Sequence, residues 1–159
     1  MEFAKLSEDE LKAFIGKNAD YYIKRFKKFE KGGSLSWNWY AFLFGVLWMF
    51  YRKMYLYGFS ALAVIFSINL FISILKIDQV ISTGISLWLW IGFGMFGNYL
   101  YYLHVKNSIS KIKKSTYHSD VILTISKKGG VNKFVLYFFS GITIVYFLFL
   151  TLSIFLIKN

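Results

Sequence analysis

Few side chains in this chain have the chemistry that catalysis requires. Two histidines and eight acidic residues occur among its 159 residues. His118, Ser119 and Asp120 are the three residue types of a hydrolase triad, in which an acid orients a histidine that activates a serine. Adjacent side chains on one helix or strand point in different directions, so these three cannot converge on a substrate. We therefore expect the protein not to be an enzyme.

Metal binding is not expected either. Cysteine is absent, which excludes disulfides and thiolate metal ligands. His104 follows a long uncharged segment, and no other histidine or acidic residue stands at a metal-ligating spacing from it. The sequence therefore predicts neither a metal site nor another cofactor.

The composition indicates a membrane protein. Hydrophobic residues make up 57% of the chain, and the mean hydropathy of +0.49 is too high for an ordinary soluble domain. The net charge of +11 is also typical of nucleic-acid-binding proteins. Here, however, the lysines stand in blocks between long uncharged segments, an arrangement that orients a chain in a bilayer. We expect contact with membrane lipids, mainly anionic ones, and no binding to nucleic acid.

Three uncharged segments are long enough to cross a bilayer, namely residues 54–75, 85–103 and 134–157. At ~1.5 Å per residue the first reaches ~33 Å, compared with a hydrocarbon layer of ~30 Å. The predicted fold class is therefore an all-α membrane protein with three transmembrane helices. Residues 104–133 are predicted to form the loop between the second and third spans.

A fourth apolar segment, residues 39–51, is too short to span, because its 13 uncharged positions reach only ~20 Å. Three spans place 17 of the 19 lysines and arginines on one side, whereas a fourth span would divide them 10 to 9. The positive-inside rule thus predicts that residues 36–53 are re-entrant or interfacial. It also predicts a multi-pass protein of the cytoplasmic membrane, with the N-terminus and residues 104–133 inside. The loop near Asp78 and the C-terminus are then outside.

Residues 1–33 are predicted to form a basic amphipathic helix. Ser7 and Glu10 form a capping box at its start, and Gly32 and Gly33 end it. Its second half carries five basic residues that are expected to face lipid: Lys24, Arg25, Lys27, Lys28 and Lys31. Such a helix either docks on an anionic leaflet or lies over the cytoplasmic ends of the spans, and the two arrangements are compatible.

The re-entrant segment carries the densest motif of the chain. Nine of its residues are candidate site residues: Ser36, Trp37, Asn38, Trp39, Ala41, Gly45, Trp48, Arg52 and Lys53. Ser36 is expected to cap the helix, and small Ala41 and Gly45 to allow close packing on a neighbouring helix. The guanidinium of Arg52 is expected to cover the indole of Trp48, four residues earlier. The alternative interpretation is an aromatic belt with flanking charges.

These residues resemble a family of small bacterial membrane proteins grouped as domain of unknown function 2628. The resemblance rests on Tyr22, Lys31-Gly32-Gly33, Ser36-Trp37-Asn38-Trp39, Ala41-Phe42, Phe44-Gly45, Trp48 and Tyr51-Arg52-Lys53-Met54-Tyr55, with a looser similarity at Asn98, Tyr101 and His104. It implies a bacterial multi-pass membrane protein and no catalytic residue. Some relatives look to carry a zinc-binding ribbon, which this cysteine-free chain does not contain.

We therefore predict a non-catalytic scaffold, or a module that interacts with lipid or protein, in the cell membrane. Its expected partners are anionic lipids and, as an open possibility, other membrane proteins or further copies of itself. The alternative is a subunit of a small channel or transporter. The predicted spans argue against the alternative because they contain no ionisable Asp, Glu, Lys, Arg or His.

Overall fold

The computed structural model describes residues 6–115 and 121–158, and these residues form an all-α fold, which confirms the predicted class. Three helices are long and apolar enough to cross a membrane, as predicted. The seven helices of the described residues are α1 Glu8–Ile15, α2 Ala19–Glu30, α3 Trp39–Tyr51, α4 Tyr55–Ile74, α5 Gln79–Ser115, α6 Val121–Lys128 and α7 Lys133–Lys158.

The N-terminal segment is two helices, so the prediction of a single helix was wrong. The capping box is present: Ser7 Oγ accepts from the Glu10 amide at 3.1 Å, and the Glu10 carboxylate accepts from the Ser7 amide at 2.8 Å. Gly16 (φ 63°) and Asn18 (φ 66°) then have positive φ angles, where α1 ends and the chain turns into α2. The apolar spacing continues across this turn because both helices bury their apolar faces in the same core.

That core belongs to a cap, which we define as α1, α2, α6 and residues 99–115 of α5. Aromatic rings dominate it: Phe26 packs edge-on against Tyr101 and Tyr102, with ring centroids 6.0 and 5.2 Å apart. Phe14 and Ile125 are also buried. The apolar face of the N-terminal helices thus lies over one end of the spans. Much of the predicted 104–133 loop is helical, because α5 continues to Ser115 and α6 follows.

The short helix α3 is kinked at Gly45, whose backbone is not helical (φ 46°, ψ −119°). Gly45 lies against the side chain of Phe93 on α5. Residues on both sides of the kink, Asn38 and Trp48, instead lie close to Gly97, one helical turn nearer the cap. α3 therefore packs against α5 on both sides of its kink.

The apolar helices expose most of their side chains. The buried share of the most apolar stretch is 6% in α4, 11% in α5 and 0% in the last candidate span. The described helices are held together mainly at the cap and α3, so the apolar surfaces of the spans are open to lipid or to other helices.

Candidate functional site

Two buried asparagines connect the start of α3 to α5. Asn38 and Asn98 are both fully buried, and Asn38 Nδ2 donates to Asn98 Oδ1 at 2.8 Å. Asn38 Oδ1 accepts from the backbone amide of Ala41 at 3.1 Å. The backbone amide of Asn38 donates to the Gly94 carbonyl at 2.8 Å. Each carboxamide is therefore satisfied, as a buried polar group must be.

Asn38, and not Ser36, caps α3, so the prediction for Ser36 was wrong. Asn38 stands directly before the first helical residue, where a side-chain oxygen reaches the free amides of the first turn. Ser36 Oγ instead accepts from Arg25 Nε at 3.0 Å and from Asn98 Nδ2 at 3.2 Å. Ser36 thereby joins α2 to α5.

Arg52, at the end of α3, is only 4% exposed. Its guanidinium carbon lies 4.5 Å from the ring centroid of Tyr22 and 5.3 Å from that of Tyr101. Nη1 donates to the carbonyls of Ile15 and Lys17, both at 3.4 Å. None of the ion pairs in the described part of the chain involves Arg52.

Within the described residues this cation faces the turn between α1 and α2 and forms no ion pair with a carboxylate. The last carbonyls of a helix lack intrahelical donors and carry the negative end of the helix dipole. α1 ends at Ile15, whose carbonyl accepts from Arg52, as does the carbonyl of Lys17 in the turn that follows. Burial raises the pKa of Tyr22, and the positive charge of Arg52 opposes that rise. Tyr22 therefore stays neutral beside the cation.

The ring partners of Arg52 differ from the expected one. Arg52 lies over Tyr22 and Tyr101, whereas Trp48 was the predicted partner. Trp48 is buried and packs edge-on against Tyr101, with ring centroids 6.0 Å apart. Arg52 follows the last residue of α3, Tyr51, and its guanidinium reaches the carbonyls of Ile15 and Lys17.

Other motif residues pack on α5 or lie at the surface. Ala41 is buried against Gly97 so closely that a Cβ on that glycine would lie 2.6 Å from the Ala41 Cβ. The Trp37 ring covers Gly94, while Trp39 is 64% exposed. Lys53, also in the motif, has a left-handed backbone and donates from Nζ to the Gly129 carbonyl.

The five basic residues of the N-terminal segment do not share one environment. Lys24, Lys28 and Lys31 are exposed, and Arg25 is half-buried. Lys27 pairs with Glu8 of α1 at 3.0 Å, and this hydrogen bond holds the pKa of the Glu8 carboxyl below its usual range.

Sequence reasoning missed two contacts that hold the cap together. Glu10 pairs with Lys113 of α5 at 2.7 Å. Burial raises the pKa of Glu10, but this pair and the bonds to Ser7 outweigh it, so the net pKa is lowered. Gly129 lies directly on α1, where a Cβ would overlap the Phe14 carbonyl oxygen at 2.0 Å. The glycine pair after the lysines of α6 is the only sequence signal for the second contact.

The histidine and acidic residues of the described part of the chain are spread over several helices. No group of three His, Cys, Asp or Glu residues among them could hold a metal ion. His104 packs edge-on against Phe14 and Tyr57, each with centroids 5.9 Å away. His118, Ser119 and Asp120 lie outside the described residues.

Comparison with known families gives one match. Residues 7–107 fit the family described as Protein of unknown function (DUF2628). The chain belongs to this family. The match covers α1 to α4 and α5 as far as residue 107, and so includes both asparagines and Arg52. No curated protein and no solved structure shows significant similarity to the chain.

Proposed function

We propose that the protein is a non-catalytic scaffold of the cytoplasmic membrane, whose cap rests on the anionic headgroups of the inner leaflet. The observation that carries this proposal is the orientation of α2. Its apolar side is buried against α5, so its exposed lysines are held outward on a rigid support. An amphipathic helix that floated freely would instead insert its apolar face into lipid.

The contacts of α2 indicate its depth relative to the bilayer. Phe29 packs edge-on against Tyr99, with centroids 5.4 Å apart, and Phe26 packs against Tyr102. These tyrosines lie near the end of the uncharged part of α5, where its first lysine is Lys106. The exposed lysines of α2 are therefore at headgroup level, where each contributes about 1 kcal/mol of attraction to anionic lipid.

The scaffold part of the proposal rests on the contrast between cap and spans. The cap is tied to the end of α3 by the hydrogen bonds of Arg52 to Ile15 and Lys17, whereas α4 and α7 present open apolar surfaces. In a bilayer such surfaces contact lipid or the helices of neighbouring proteins, including further copies of the chain.

The lipid preference can be tested with two matched double variants in the full-length protein. Lys24→Gln/Lys28→Gln removes two exposed charges from α2, and Lys111→Gln/Lys114→Gln removes two exposed charges from α5. Tyr102 packs against α2 and marks its level on α5. Lys111 lies about 14 Å further along α5, which exceeds the Debye length of about 8 Å at physiological salt. Only the α2 variant should lose preference for anionic lipid.

The measurement is the lipid retained after extraction from bilayers of phosphatidylcholine with and without phosphatidylglycerol. The wild type should enrich phosphatidylglycerol, and added salt should reduce the enrichment. No enrichment in the wild type, or equal loss in the two double variants, would contradict the proposed role of α2.

The orientation can be tested separately, because the chain has no cysteine of its own. Ser126→Cys in α6 and Thr83→Cys in α5 are both at exposed positions. An impermeant thiol reagent applied to intact cells should label the cysteine at position 83 and not the one at position 126. The reverse labelling would place the cap outside.

A further inference from the structure

The basic residues of α2 divide between two flanks of the helix. Tyr21, Lys24, Arg25 and Lys28 follow the i, i+3, i+4, i+7 spacing that places side chains on one flank. Lys27 is on the other flank, facing α1, and its charge is paired with Glu8. The first flank faces the start of the re-entrant segment, because Arg25 contacts Ser36.

Arg25 is held in position before any ligand arrives. Its guanidinium carbon lies 3.4 Å from the centroid of the Tyr21 ring. Nε donates to Ser36 Oγ and Nη1 donates to the Tyr21 carbonyl, both at 3.0 Å. Ser36 in turn accepts from the fully buried Asn98. Within the described residues Nη2 donates no hydrogen bond, and no ion pair involves Arg25.

An aromatic surface adjoins this guanidinium. Trp37 follows Ser36 directly, and its carbonyl accepts from the Tyr21 hydroxyl at 3.4 Å. The rings of Trp37 and Trp39 pack edge-on with centroids 5.4 Å apart, and both are exposed, at 37% and 64%. A positive group with free donors thus lies beside exposed aromatic side chains that favour the membrane interface.

We propose that this flank binds the phosphate of an anionic phospholipid. Arg25 binds the two non-bridging phosphate oxygens through Nη2 and the remaining Nη1 donor, since the guanidinium fork matches that geometry. Lys24 and Lys28 add positive charge, and the two tryptophans contact the glycerol and the first carbons of the acyl chains. The inference rests on the proposed lipid-docking role and narrows it to one flank of α2.

The test compares two adjacent lysines on opposite flanks, Lys28→Gln and Lys27→Gln, in the full-length protein in neutral detergent. Both positions are exposed, and both variants remove one charge. Phosphatidylglycerol is titrated and bound lipid is counted by native mass spectrometry. Lys28→Gln should weaken binding about fivefold, the effect of one headgroup-level charge, and Lys27→Gln less than about twofold. Arg25→Lys keeps the charge but loses one charge-assisted hydrogen bond of the fork, and should weaken binding about tenfold.

The outcomes separate this site from the broader proposal. Equal weakening by Lys27→Gln and Lys28→Gln would overturn the site while leaving general electrostatic docking in place. No preference of the wild type for phosphatidylglycerol over phosphatidylcholine would overturn the proposed function itself. Competition by inorganic phosphate at the affinity of the lipid would show a free-phosphate site. The Lys28→Gln comparison decides the question even if Arg25→Lys lowers the melting temperature.

Discussion

Replacing Arg52 by lysine separates the need for charge from the need for a planar group. Topology requires only a positive charge at this position, and lysine supplies it. The structure adds two requirements, because the guanidinium lies over the rings of Tyr22 and Tyr101 and donates to the carbonyls of Ile15 and Lys17. Lysine cannot meet both, since its single nitrogen is compact and strongly hydrated.

The expected loss follows from those contacts. A hydrogen bond from a charged donor contributes about 1.5–3 kcal/mol, and the lower value applies to bonds of 3.4 Å. A desolvated cation–π contact contributes about 2 kcal/mol, of which we expect lysine to keep half. Losing one bond and half of the ring contact costs about 2–3 kcal/mol. For a chain of this length that lowers the melting temperature by about 5–10 °C.

Thermal unfolding in detergent, monitored by tryptophan emission, measures this effect. Lys53→Arg is the matched control, because it also keeps the charge and an arginine can still reach the Gly129 carbonyl. Trp48→Leu is the comparison for packing alone, since Trp48 is buried against Tyr101. If Arg52→Lys melts like the wild type while Trp48→Leu is clearly destabilised, Arg52 is an ordinary flanking charge and the reasoning above is refuted.

Three further substitutions test the packing of α3 on α5 and the packing and charges of the cap. Gly97→Ala should cost about 1–3 kcal/mol by forcing α3 away from α5, whereas Gly92→Ala on the same helix has open space and should be neutral or slightly stabilising. Gly129→Ala should destabilise the cap by at least as much as Gly97→Ala, because the new Cβ would overlap the backbone carbonyl of Phe14. A Gly129→Ala variant that melts at the wild-type temperature would refute that contact. The pKa of Glu10 is lowered in the folded protein, so its contribution is present above the ordinary carboxyl pKa and is lost as the pH falls through the lower folded value. Glu10→Gln should therefore melt lower than the wild type at pH 7 and approach it at acidic pH, and parallel pH profiles would contradict this.

Some of the site could be recognised in the sequence and some could not. The capping box is a signal within four residues, and it was predicted correctly. The cap of α3 was assigned to Ser36, because Ser36 and Asn38 are both good capping residues two positions apart. The choice depends on Asn98, which is 60 residues away from Asn38 and binds both side chains. No local pattern contains that contact.

The sequence by itself determined the three spans and the short fourth segment, because a bilayer excludes charge and sets a minimum length, and both can be read along the chain. Only the tertiary structure decided which rings face Arg52 and which lysines of α2 are unpaired. Arg52 is 35 or more residues away from the carbonyls that it binds, and Lys27 is 19 away from Glu8. Such pairings depend on where the turn at Gly16–Asn18 places α1, and that placement is set by packing across the whole cap.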